Sequence, residues 1–176
     1  ASLVVASSLE CPAGLAPHGD RCGSLIPAGP DGVAAGQASS KPAGETRPCV
    51  YGDAVECTRR CEAGEPSSCN DLALMLARGD GVTADDQKAT TFYLRACELE
   101  SAIGCNNAGL RFGSGRGVPV DETRSVVLYE RACTAGHGAG CNNSARMIGT
   151  GSGVPKDEAK AVSLFERGCG FGDAQA

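Results

Sequence analysis

The stretch CNNAGLRFGSGRGVPVDETRSVVLYERAC, residues 105–133, decides the fold, because its cysteines and glycines return along the chain at a fixed step. One series of cysteines is spaced 36 residues apart, and a second series follows its first three members after eight residues. The first series is Cys61, Cys97, Cys133 and Cys169, and the second is Cys69, Cys105 and Cys141. A fixed period of this length is typical of stacked repeat proteins.

Each repeat is predicted to form a helix, a turn and a second helix. Paired glycines such as Gly115 and Gly117 end the first helix, because glycine adopts a positive φ at low cost. Asp121 is placed to cap the second helix, as are Asp85 and Asp157 in the other repeats. The second helix then has small or apolar residues at i, i+3, i+4 and i+7, which predicts one buried stripe: Ser125, Leu128, Tyr129 and Ala132. In its last turn an arginine meets the negative end of the helix dipole: Arg95, Arg131 and Arg167.

The fold class that this pattern predicts is an all-α solenoid of αα-hairpin repeats, cross-linked by disulfides and preceded by an irregular leader. Residues 1–48 form the leader and linker, rich in Gly, Pro, Ala and Ser. Residues 49–64 match only the second-helix half of a repeat and are predicted to be an N-terminal capping helix. Residues 65–176 hold three repeats, at about 65–100, 101–136 and 137–176.

The 11 cysteines favour disulfides over a metal site. Structural zinc sites prefer cysteines two to four residues apart, often with histidine. Here the repeated pairs are eight positions apart, and the two histidines, His18 and His137, are isolated. We therefore expect no metal and no cofactor. Disulfides persist in oxidising compartments, so we expect an extracytoplasmic location, periplasmic or secreted.

The pattern predicts which cysteines pair, with each repeat pair closing a short loop between two helices. The predicted pairs are Cys61–Cys69, Cys97–Cys105 and Cys133–Cys141, with Cys49–Cys57 and Cys11–Cys22 upstream. Cys169 has no counterpart in the pattern, because the matching position would be 177. Two interpretations remain open, a longer chain with further repeats or a free thiol at Cys169.

Charge and hydropathy exclude two classes of partner. The formal net charge is −5 and no basic run occurs, so we expect no nucleic acid. No apolar stretch has the length needed to cross a membrane. The opening ASLVVASS is compatible with the end of a signal peptide's apolar region.

The row at residues 105–118, followed by Asp121 and by YERAC at 129–133, resembles the Sel-one-like repeat (SLR). The period and the cysteine pairs are similar to the secreted cysteine-rich subgroup of bacteria, the Hcp proteins. The resemblance covers roughly residues 53–176. It implies hairpins related to tetratricopeptide repeats, coiled into a superhelix with a concave face, and cysteine pairs that bridge neighbouring helices. Ser144 and Arg146 depart from the bulkier apolar residues that this family usually has there.

The resemblance implies an adaptor or secreted interaction module that binds a protein or peptide. On the concave face, Asn70, Asn106 and Asn142 recur at one position of each first helix and are predicted to hydrogen-bond an extended peptide. The neighbouring residues that vary between repeats are predicted to set specificity: Asp71, Leu74, Arg78, Leu110, Arg111 and Arg146. The alternative is that each asparagine bonds locally or to the adjacent repeat.

Two other functions remain as alternatives. Some similar proteins carry a β-lactamase or penicillin-binding label, but the chain has no Ser-x-x-Lys, Lys-Thr-Gly or Ser-Asp-Asn motif. The second alternative is a structural component of the cell envelope that stacks with itself. We therefore predict a non-catalytic binding scaffold, with no catalytic residues.

Overall fold

A computed structural model describes residues 49–172, and this part of the chain is built from helices joined by short turns. The predicted leader, including the Cys11–Cys22 pair, lies outside the described residues. The helices are α1 (Ala54–Glu62), α2 (Pro66–Arg78), α3 (Asp86–Glu98), α4 (Ala102–Ser114), α5 (Glu122–Thr134), α6 (Gly138–Thr150) and α7 (Glu158–Gly170). The all-α repeat fold predicted from the sequence is confirmed for these residues.

The helices begin and end where the repeated residues predict. The first helices α2, α4 and α6 end at Gly79, Gly115 and Gly151, whose φ angles of 79°, 71° and 79° are left-handed. The second helices start at an aspartate whose carboxylate accepts a hydrogen bond from the backbone N–H three residues on. These caps are Asp85, Asp121 and Asp157, with donor–acceptor distances of 2.9, 2.8 and 2.9 Å.

The seven described helices stack in chain order, each packing on the next. The first helices of successive repeats also meet, since α2 contacts α4 and α4 contacts α6, while among the described helices no comparable contact joins α3 to α5 or α5 to α7. The first helices therefore lie closer together than the second helices. They form the inner side of a curved stack.

The core runs along the stack between the two layers of helices. It contains the predicted apolar stripes, with Leu72, Tyr93, Phe112 and Tyr129 buried. Small residues occupy the same stripes, and Ala73, Ala96 and Ala132 have no more than traces of exposed surface. Close approach of the helices requires these small side chains, so each hairpin alone buries little apolar area.

Four disulfides cross-link the described residues. Cys61–Cys69, Cys97–Cys105 and Cys133–Cys141 each join the last turn of one helix to the first turn of the next, and Cys49–Cys57 fixes the segment before α1. Each pair has a sequence separation of 8. Closing a loop of this size stabilises the folded state by about 2.5 kcal/mol in the chain-entropy model. Cys169 lies half-buried near the end of α7.

Glu100 is the one non-glycine residue with a positive φ, 66°, among the described residues. It follows α3 at the position that Gly64, Gly136 and Gly172 occupy after the other helices of its layer. A side chain in the left-handed region costs roughly 1–2 kcal/mol. Among residues 49–172, no hydrogen bond or ion pair of the Glu100 side chain compensates for this cost.

We expect Glu100→Gly to raise the free energy of unfolding by about 0.5–1 kcal/mol, because relief of the backbone strain exceeds the added entropy of the unfolded chain. Urea unfolding followed by circular dichroism measures this change. Gly136→Ala is the matched control, since its φ is 87° and an added Cβ would meet only Phe171 at 3.9 Å. It should be destabilising by a similar amount. A loss of stability in Glu100→Gly would contradict the strain argument.

Candidate interaction surface

The outward faces of the first helices form a continuous strip on the inner side of the stack. We call this strip the inner surface. Its nine residues lie at equivalent positions of α2, α4 and α6, and each keeps part of its surface exposed: Asp71, Leu74, Arg78, Asn107, Leu110, Ser114, Asn143, Arg146 and Thr150. The inner surface contains five of the residues predicted from the sequence as variable candidates, namely Asp71, Leu74, Arg78, Leu110 and Arg146.

The inner surface combines an apolar centre with charged ends. Leu110 is 45% exposed, and Leu74 beside it is half-buried. The exposed Arg146 occupies the position of these leucines in α6, and the exposed Arg78 lies one turn beyond Leu74 on α2. Arg146 Nη2 donates to Asn143 Oδ1 at 3.2 Å, which holds its guanidinium over α6. Such a strip can bury an apolar side chain and pair with a carboxylate.

Asp71 adds a negative group at the N-terminal end of the inner surface. Burial raises the pKa of its carboxyl above the ordinary value, and a hydrogen bond with Asn70 partly opposes this shift. The equivalent residues in the next two repeats are Asn107 and Asn143. On the inner surface α2 therefore has both a carboxylate and a guanidinium, whereas α6 has only the guanidinium of Arg146.

Two of the three recurring asparagines, Asn70 and Asn106, join neighbouring repeats. Asn107 Nδ2 donates to Asn70 Oδ1 at 2.9 Å, and Asn143 Nδ2 donates to Asn106 Oδ1 at the same distance. Asn106 and Asn142 are buried. For Asn70 and Asn106 these contacts correspond to the alternative in which the asparagines bond to the adjacent repeat, and burial argues against contact of Asn106 or Asn142 with a peptide on the inner surface.

Sequence reasoning missed the second asparagine of each pair. Asn107 and Asn143 supply the donors and remain half-buried on the inner surface. The doubled asparagine after Cys105 and Cys141 was a visible signal. The repeat period does not specify which of the two adjacent side chains points toward the neighbouring repeat. The role of the second asparagine could therefore not be predicted from the period alone.

Arg111 needs a correction as a predicted specificity residue, because it is buried between repeats. Its guanidinium pairs with Asp86 Oδ1 at 2.7 Å and lies 5.4 Å from the ring centroid of Tyr93. Arg116 pairs with the same carboxylate at 3.2 Å. Asp86 starts α3, so this cluster joins α3 to α4 and to the turn that follows it. Arg111 positions the inner surface and is not accessible to a partner.

The arginines at the ends of the second helices also connect repeats. Arg131 Nη2 donates to the carbonyl of Cys97 at 3.1 Å, and Arg167 Nη2 donates to the carbonyl of Cys133 at 3.4 Å. Each accepting carbonyl lies in the last turn of the preceding second helix and also accepts a hydrogen bond from the backbone N–H three residues on. The arginines therefore cap the neighbouring repeat as well as lying at the end of their own helices.

Glycines in the turns allow the backbones of adjacent repeats to touch. A Cβ added to Gly117 would overlap the carbonyl of Asp86, and one added to Gly153 would lie 2.5 Å from the carbonyl carbon of Glu122. Asp86 and Glu122 are the first residues of α3 and α5. The turns after α4 and α6 thus rest on the starts of α3 and α5, which fixes the spacing of the inner surface.

No group of three or more His, Cys, Asp or Glu side chains between residues 49 and 172 is placed to hold a metal ion. An open depression of about 600 Å³ lies on the outer side, lined by Val126, Val127, Glu130, Lys156 and Lys160 among others. Within the same part of the chain, every helix is too short or too polar to span a bilayer.

Comparison with protein families gives a match to the Sel1 repeat at residues 66–101, 102–137 and 138–169. These three segments correspond to the hairpins α2–α3, α4–α5 and α6–α7. No curated protein sequence matches the chain.

Three solved structures are similar to this one. A protective antigen of uropathogenic Escherichia coli strains with an SLR fold has 27% sequence identity and a TM-score of 0.64, and the match covers 66% of this chain and 25% of that one. A Sel1 repeat protein from Oxalobacter formigenes has 20% identity and a TM-score of 0.62, with 70% and 56% covered. Helicobacter pylori cysteine rich protein B has 29% identity and a TM-score of 0.54, with 66% and 84% covered. The chain thus spans only a quarter and about half of the length of the first two.

Proposed function

The chain belongs to the Sel1 repeat family, and from this premise we propose that it is a non-catalytic scaffold that binds a protein or peptide on its inner surface. Sel1 repeat proteins are generally protein-interaction scaffolds. The observation that carries the proposal is the exposed Leu110, 45% accessible at the centre of the inner surface, which also has the exposed Arg78 and Arg146. Exposed apolar groups with a polar rim are typical of interaction sites.

The chemistry of the inner surface favours a partner segment with an apolar residue next to acidic residues. Burying a leucine side chain contributes about 1.5–3 kcal/mol. Arg78 lies one turn beyond Leu74, and Arg146 occupies the position of Leu74 and Leu110 in α6; both are exposed, so a carboxylate can reach either of them. The asparagine pairs contribute indirectly, because they hold α2, α4 and α6 in register under the bound segment.

An extracytoplasmic location, periplasmic or secreted, is part of the proposal. Four buried disulfides in a described segment of this size are typical of proteins from oxidising compartments. Helicobacter pylori cysteine rich protein B, which is similar to this chain, shares the cysteine-rich character on which the assignment rests.

Hydrolysis of a β-lactam is not part of the proposal. Family members are generally non-catalytic. The serine enzymes of that class need a lysine three residues after the nucleophile, and no serine of this chain has one. The self-stacking alternative has no observation that favours it over the binding of a partner.

Peptides selected from a phage-displayed library against the oxidised protein provide the test. We expect the selected peptides to combine acidic and apolar residues, and Leu110→Asp to raise their Kd by roughly tenfold or more, since the loss of one buried leucine exceeds 1.4 kcal/mol. Arg146→Glu should weaken binding of the acidic peptides in particular. Isothermal titration calorimetry measures both effects.

Val127→Asp is the matched control, because Val127 is 51% exposed but lies on the second helix α5. It should leave the Kd within about twofold of the parent value, and circular dichroism should show all variants folded. Peptides whose binding is lost in Val127→Asp and kept in Leu110→Asp would place the binding site on the outer side and overturn the proposal.

A further inference from the structure

The C-terminal end of the stack differs from the two repeat junctions before it. Thr90, Val126 and Val162 occupy the same position of α3, α5 and α7. Thr90 and Val126 are 1% and 2% exposed, whereas Val162 is 44% exposed. The following repeat covers the first two, since Thr90 Oγ1 donates to the carbonyl of Arg116 at 3.0 Å and Val126 packs in a cluster with Ile148 of α6.

A neighbouring aromatic position changes in the same way. Tyr93 and Tyr129 are fully packed, while their equivalent in α7, Phe165, is only half-buried. The apolar residues at this end of the stack are therefore of the type that repeats bury against one another. Apolar side chains that are exposed or half-buried at positions that are buried in the other repeats are typical of an interface.

Asn142 gives an independent observation at the same end. Asn70 and Asn106 each accept a hydrogen bond from an asparagine 37 residues further along, in the first helix of the next repeat. Asn142 is only 9% exposed, yet its Oδ1 and Nδ2 have no hydrogen-bond partner. A buried amide without partners is destabilising, so its retention requires an explanation.

We propose that the face formed by Asn142, Val162 and Phe165 is the docking surface for a further repeat of the same type, following α7 in the same polypeptide. Its first helix packs on α6 and α7 as α6 packs on α4 and α5. An amide side chain at the position of Asn107 and Asn143 donates to Asn142 Oδ1, and apolar residues at the position of Ala145 and Ile148 cover Val162. This interface is separate from the inner surface and does not depend on the proposed function.

We assign a further repeat to this surface because the surface continues the pattern of the two junctions between repeats. The α3–α4 and α5–α6 junctions use the same positions and the same asparagine contact, so a third copy of this geometry satisfies Asn142 without any new type of interaction. A second copy of the chain or an unrelated partner would have to present a helix with an amide at this same place.

The proposal is tested with a chain in which a copy of residues 137–172 follows Gly172, which places the copy of Asn143 37 residues after Asn142. We expect one cooperative unfolding transition, with a midpoint raised by several degrees, roughly 2–4 °C for each added kcal/mol of stability at this size. Hydrogen exchange of α7 amides should slow to the level of α5. Replacing the copied Asn143 by Ala should reverse part of the gain.

Asn142→Ala separates the proposal from a general effect of added length. In the parent chain of 176 residues it should leave the midpoint unchanged or raise it, because it removes an unsatisfied amide. In the extended chain it should lower the midpoint. An appended repeat that unfolds separately, with unchanged exchange in α7, would overturn the proposal. So would a dimer of the parent chain, seen by light scattering and dissociated by Val162→Asp, because a second copy would then be the occupant.

Discussion

Reduction of the disulfides is expected to unfold residues 49–172 at 37 °C. Four pairs with a sequence separation of 8 together contribute about 10 kcal/mol in the chain-entropy model, which is comparable with the entire net stability of 5–15 kcal/mol typical of a domain. The hairpins have little apolar area to replace this contribution. Where α2 has Leu72, α4 has Ala108 and α6 has Ser144. Thermal unfolding followed by far-ultraviolet circular dichroism, with and without reductant, measures the loss.

Separate removal of each pair should give effects that depend on position. The double variant Cys97→Ser with Cys105→Ser should lower the midpoint more than Cys49→Ser with Cys57→Ser, because the former junction lies between two repeats that stabilise each other. Alkylation of the reduced protein serves as a control against reoxidation during the melt. A reduced, alkylated protein that keeps its helical signal and its midpoint would show that apolar packing alone holds the stack together.

The period of the sequence was enough to predict the helices, their ends and their caps. These features are local, since in every repeat a glycine with positive φ ends the first helix and an aspartate caps the second. The cysteine pairs were predictable for the same reason, because eight residues across a tight turn leave few other partners. Because the same local features recur in all three repeats, the helices and their connections can be predicted without knowledge of the contacts between repeats.

The contacts between repeats were not predictable from these rules. Arg111 occupies the position that Met75 and Met147 have in the other two repeats. Comparison of the three repeats could therefore have predicted a buried arginine that needs a negatively charged partner. The partner, Asp86, lies 25 residues away and starts a different helix. Among the candidates for the inner surface, the period identified equivalent residues but not which face of the helix each one occupies. Leu110 and Arg111 are neighbours in sequence, but they lie on different faces of α4, so Leu110 is exposed and Arg111 is buried.

Gly117→Ala is expected to be the most damaging single substitution in the middle of the stack. Gly117 has a φ of 75°, and an added Cβ would overlap the carbonyl of Asp86, which is backbone and cannot move aside. The left-handed strain and the overlap together should lower the free energy of unfolding by about 3–4 kcal/mol. Loss of this contact also separates Arg116 from Asp86, so the α3–α4 junction should loosen. Chemical denaturation measures the stability, and hydrogen exchange of α3 and α4 measures the loosening.

Gly64→Ala separates the two causes, because Gly64 has a φ of 89° but no atom within 4 Å of an added Cβ. The only cost of this substitution is the left-handed backbone strain. We therefore expect the free energy of unfolding to fall by about 1 kcal/mol, with no change in amide hydrogen exchange at the α3–α4 junction. Equal losses in Gly64→Ala and Gly117→Ala would mean that backbone conformation alone explains both, and that the turns do not set the spacing of the repeats. A much larger loss at Gly117 would instead show that the stack depends on backbone contact between neighbouring hairpins, at a position where only glycine fits.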